Sequence, residues 1–97
     1  MTEELRALAD PLRTRIVELL AREQLCTCHL AELTGAKQTN ISNHLRVLRE
    51  AGVVDAQPAG RYTYYRVRPE ALAALADYYA ALASRARAAA QPRIPCA

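Results

Sequence analysis

The chain has 97 residues, 52% hydrophobic and 24% charged, with a formal charge of +3. That length suits one domain with a modest core, to which self-association would add useful burial. No apolar run approaches the roughly 20 residues of a membrane span, and no basic-then-apolar signal segment opens the chain, so no membrane partner and a cytoplasmic location are expected. The positive charge leans toward an anionic partner without naming one, so the position of the charge counts for more than its sum. Three cysteines, an odd number, argue against a disulfide framework and leave metal binding, redox sensing or plain burial open.

In chain order, Thr2 or Glu3 opens a first short helix that carries Leu5, Leu8 and Ala9, with acidic residues in its first turn. Asp10-Pro11 restarts the chain as N-cap and first helical residue, followed by an apolar stripe at Leu12, Ile16, Leu19 and Leu20. Glu23 to Thr27 reads as a connector. A short helix from Cys28 to Thr34 follows, with Leu30 and Leu33 expected inward. Cys26 and Cys28 then flank a helix N-terminus, whose backbone amides favour thiolates and raise reactivity.

Gly35-Ala36-Lys37 supplies a tight turn into a second, polar-faced helix. Its apolar stripe is Ile41, Leu45 and Leu48, at i, i+4 and i+7. The other face offers Gln38, Thr39, Asn40, Ser42 and Asn43 in its first turns and Arg46 and Arg49 toward its end. Short hydrogen-bonding side chains suit base edges in a major groove, and basic ones suit flanking phosphates. Helix, glycine-containing turn, helix is the helix-turn-helix layout, in which the second helix reads the groove. Lys37 and His44 join the candidate DNA contacts, His44 either at a phosphate or packed against the hairpin that follows.

Ala51-Gly52 closes the reading helix with a glycine cap. Val53 to Gln57 and Tyr62 to Val67 read as strands joined by a Pro58-Ala59-Gly60-Arg61 turn. Thr63, Tyr65 and Val67 share one face of the second strand, and Tyr62, Tyr64 and Arg66 the other. A lone hairpin is marginal in water, so one face must lean on the helices, and Arg61 and Tyr62 at the tip are placed to touch DNA. Pro69 opens a last helix to about Ala90 with a seam at Leu72, Leu75, Tyr79, Leu82 and Ala86, which is read, together with Leu5 and Leu8, as a dimer interface. Residues 91–97 form an extended tail that carries Cys96. The expected fold class is mainly α with a small β-hairpin, in the order α-α-α-α-β-β-α, a single domain over 1–97 that dimerises through its terminal helices.

The segments ADPLRTRIVELL, LCTCHLAEL, QTNISNHLRVLREAGVV and GRYTYYRV resemble the ArsR/SmtB family of arsenic- and metal-responsive bacterial repressors, from Leu5 to about Arg87. The resemblance implies a winged helix-turn-helix homodimer on an inverted-repeat operator that represses a resistance operon and leaves the DNA when an inducer binds. LCTCHL further resembles the Cys-x-Cys motif that arsenic-sensing members carry before the recognition helix. Some of those have a further cysteine three residues later, where this chain has Ala31. A third thiolate then leaves Cys96 as the candidate, on a tail that spans at most roughly 20 Å. Zinc-sensing members place Asp and His ligands along the last helix, which here has no histidine.

Soft thiolates select soft ions. Three thiolates on trivalent arsenic make a neutral unit, whereas cadmium or lead leaves a net negative charge and zinc wants a fourth ligand. The expected inducer is therefore As(III), with Sb(III) its chemical relative, on Cys26, Cys28 and Cys96, and no cofactor is required. His29 reads as a surface or capping residue rather than a ligand. The alternatives are a thiol-based redox sensor, a sensor of another soft metal such as cadmium or lead, and a DNA-binding protein with inert cysteines. An enzyme is disfavoured because the spacing is Cys-x-Cys rather than Cys-x-x-Cys and no base is placed beside it.

Overall fold

The computed structural model describes residues 2–89 and 93–96. The elements run α1 (Thr2–Leu8), α2 (Pro11–Leu20), β1 (Leu25–Cys26), α3 (Thr27–Thr34), α4 (Gln38–Glu50), β2 (Val54–Ala59), β3 (Tyr62–Val67) and α5 (Pro69–Ala88). The expected end of the last helix at Ala90, and Gln91, Pro92 and Ala97 of the tail, lie outside the described residues.

Local chemistry explains most of the boundaries. Asp10 caps α2, its carboxylate accepting from the backbone N–H groups of Leu12 and Arg13 at 2.9 and 3.0 Å, with Pro11 at the first position. Gly35, at φ 79°, ends α3 in the left-handed conformation that its missing Cβ permits and so aims the chain into α4. At the other end of α4, Gly52 and Val53 donate to the Arg49 and Leu48 carbonyls at 3.0 and 2.9 Å, the paired bonds of a Schellman stop.

The core is built from Ile16, Leu30, Ile41, Leu45, Leu48 and Val53, all fully buried, so the stripes of α2 and α4 meet over α3. One expected inward residue turns out. Leu33 is 53% exposed, because α3 buries the line through Cys26, Leu30 and the half-buried Thr34 at i, i+4 spacing and leaves Leu33 on the far flank. In α1 it is Ala7 that enters the core, with Leu8 half-buried beside it and Leu5 on the outside.

The sheet has three strands rather than two, antiparallel in the order β1-β3-β2. The segment read as a connector contributes β1, which pairs Leu25 with Tyr65 and Cys26 with Tyr64. The hairpin runs longer than expected, from Val54 opposite Val67 to Ala59 opposite Tyr62, so the turn tightens to Gly60-Arg61 and Pro58 falls within the edge strand, a position that tolerates a missing N–H. Tyr65 and Val67 pack on the core, as the alternation along β3 requires.

Pro69 starts α5 as expected, but α5 buries only Leu75 among its residues, and Leu72 leans on the core. The chain measures 63 × 26 × 20 Å, with a radius of gyration of 17.5 Å against about 12.5 Å for a compact chain of this length. Helix α5 therefore projects from the body. Among the described residues, no helix is long and apolar enough to cross a membrane.

Candidate functional site

Helix α4 packs by Ile41, Leu45 and Leu48 and leaves Gln38, Thr39, Asn40, Ser42, Asn43, Arg46 and Arg49 exposed, with Lys37 exposed just before it. The polar first turns and the basic end therefore lie on one open surface, where Arg46 and Arg49 line a shallow cleft with Glu50. Arg61 and Tyr62 are exposed at the tip of the hairpin. His44 is half-buried on the side of α4 that meets α2, where its Nδ1 lies 3.0 Å from a terminal guanidinium nitrogen of Arg13. Arg13 had no signal in the sequence, because nothing local links a charged residue of α2 to a histidine 31 positions on.

The two cysteines of the Cys-x-Cys pair are in different environments. Cys26 is the N-cap of α3, buried to 5% exposure, with its backbone paired in the sheet. Cys28 lies one residue into the helix and is exposed. His29 takes the capping role expected of it: its Nδ1 accepts the Cys26 backbone N–H at 3.4 Å and lies 3.4 Å from the Cys26 sulfur. The side-chain amide of Gln38, the first residue of α4, donates to the Cys28 sulfur at 3.5 Å.

Both cysteines open into a cleft of about 340 Å³ between α3, the start of α4 and the hairpin, lined further by Thr27, Gln38, Arg61, Tyr62, Thr63 and Tyr65. Gln38, Arg61 and Tyr62, expected to meet DNA, thus also border the thiols. That shared border was invisible in the sequence because the strand pairing of β1 with β3 creates it. Cys96 is exposed and is not among the lining residues of this cleft, and no group of three His, Cys, Asp or Glu among the described residues is arranged to hold a metal ion.

This geometry, an exposed polar helix after a tight turn beside a small hairpin, is shared with known proteins. The chain is 44% identical over 66 residues to an arsenic resistance transcriptional regulator of Pseudomonas putida, a match that covers 67% of this chain and 52% of that protein, so the chain spans about half of that relative's length. A crystal structure described as a possible transcriptional regulator for arsenical resistance superposes with a TM-score of 0.75 at 36% identity, covering 93% of this chain and 98% of the other. A solution structure from Mycobacterium bovis, described as a homodimeric winged helix-turn-helix DNA-binding domain, does so with a TM-score of 0.71 at 28% identity, over 96% of this chain and 86% of the other. Residues 10–56 match the pattern described as bacterial regulatory protein, arsR family, and with that match and these relatives the chain belongs to the arsR family, whose members are DNA-binding transcription regulators rather than enzymes.

Proposed function

We propose that the chain is an operator-binding repressor that acts in the cytoplasm as a homodimer and leaves DNA when trivalent arsenic, or antimony, is captured by cysteine thiolates. The observation that carries this reading is the position of the Cys-x-Cys pair. Cys26 is tied by backbone pairing to β3 of the hairpin, and Cys28 accepts from the first side chain of α4. Pulling the two sulfurs to the fixed spacing of one ion would strain both DNA-contacting elements together, and a coupling of a few kcal/mol is enough to empty an operator.

On DNA, two copies of α4 enter successive major grooves about 34 Å apart, with Thr39, Asn40, Ser42 and Asn43 at base edges. Lys37, Arg46, Arg49 and Arg61 meet phosphates, so binding weakens steeply with salt. Projection of α5, with Tyr79 exposed and Leu82 half-buried, supports a dimer interface there. Cys96 is the third ligand proposed for arsenic, brought by the tail.

Arsenite titrated into the protein–DNA complex is expected to release wild type, and to release Cys26→Ser and Cys28→Ser far less; unchanged release in both variants would remove the thiol pair from the mechanism. Arsenic counted per monomer in wild type and Cys96→Ser tests the third ligand. The exposure of Cys28 favours one second reading, in which oxidation of the thiols is the trigger. Peroxide alone would then release the DNA.

A further inference from the structure

Three hydrogen bonds converge on Arg13, a residue with no role in the site so far. Its Nε donates to the Ala7 carbonyl at 2.6 Å, one terminal nitrogen donates to the Arg6 carbonyl at 3.5 Å, and the other meets His44 Nδ1 at 3.0 Å. The first two satisfy carbonyls in the last turn of α1, where a cation also suits the helix dipole. Each of its three nitrogens is engaged within the protein, and the residue is half-buried.

A guanidinium offers only donors, so His44 Nδ1 must accept. An imidazole that accepts at Nδ1 is neutral and carries its proton on Nε2. A proton on Nδ1 would set donor against donor. His44 lies one turn from Asn40 on α4 and is half-buried, and with Nδ1 engaged by Arg13 the ring donor that remains is Nε2–H.

We infer that Arg13 is a positioning residue for DNA binding: it fixes His44 as a neutral, Nε2-protonated donor to a phosphate beside the groove, and ties that donor to α1. This rests on the operator-binding reading. A neutral donor adds affinity without releasing a counterion, unlike an arginine on a phosphate, and this separates the two roles in a salt titration.

The test uses full-length protein and DNA from upstream of its own gene. Nitrogen NMR of free wild type is expected to show His44 with Nδ1 unprotonated and Nε2 protonated, and Arg13→Met to lose that fixed pattern. Arg13→Met and His44→Ala are each expected to weaken DNA binding on the order of tenfold at constant salt. The double variant should lose no more than either alone, and the dependence of log affinity on log salt should keep its slope. A protonated Nδ1 in wild type, additive losses, or a slope reduced by about one or more in Arg13→Met, the mark of direct phosphate contact, would each overturn the inference. Should Arg13→Met fail to fold, the wild-type spectrum and His44→Ala still decide. If wild type binds no such DNA, the operator-binding reading fails. The positioning role then fails separately if Arg13→Met leaves the His44 nitrogens unchanged.

Discussion

Asp10 shows how much one side chain decides here. The backbone N–H of Arg13, and then that of Leu12, hold its carboxyl below the usual carboxylate range by bonding to the charged form. Because the folded value is the lower one, the stabilisation is complete above the ordinary carboxylate range and is lost as pH falls through the lowered value. Asp10→Ala is therefore expected to unfold at lower denaturant than wild type at neutral pH, the gap closing as the pH drops into that acid window. Denaturation midpoints at several pH values would check this, and a gap independent of pH would mean the charge contributes nothing. The same cap sets the first turn of α2, which carries Arg13, so its loss is also expected to disturb the Arg13–His44 contact.

At the scale of elements, the junction of β1 and α3 makes the two thiols unequal. Cys26 is the buried N-cap of α3, so Cys26→Ala, which removes the capping side chain, is expected to destabilise by about 1 kcal/mol. Cys28→Ser, at an exposed position, should stay within about 0.5 kcal/mol of wild type. Urea denaturation of the two variants would show whether they differ, and equal stabilities would contradict the capping role. The helices, their caps and the turn at Gly35 were legible because stripe spacing, Asp-Pro and glycine stops act within a few residues. Strand β1 was not, since two residues become a strand only through partners 38 to 40 positions away, Tyr64 and Tyr65. For the same reason the sequence marked Cys26, Cys28, Gln38 and Arg61 as separate candidates, while their common cleft depends on long-range pairing. Leu33 misled because an eight-residue helix carries too few turns to tell two possible inward lines apart.

The whole molecule is a small body with a rod. If the rod is the dimer interface, Tyr79→Asp or Leu82→Asp should yield monomers in sedimentation while the fold of the body persists. Operator affinity should then fall by about 100-fold or more, as the second reading helix loses its tether. A dimer that survives both changes would place the interface elsewhere. The projection of α5 also bears on how long the protein lasts. A helix that buries so little of itself opens locally at small cost when its partner is gone, and Arg85 and Arg87 near its end are ready cleavage points for trypsin. Clipping there is expected to accelerate on dilution and to slow at high concentration. In a cell the same coupling would make the lifetime of each chain depend on the supply of its twin, so that scarce protein is removed faster than abundant protein.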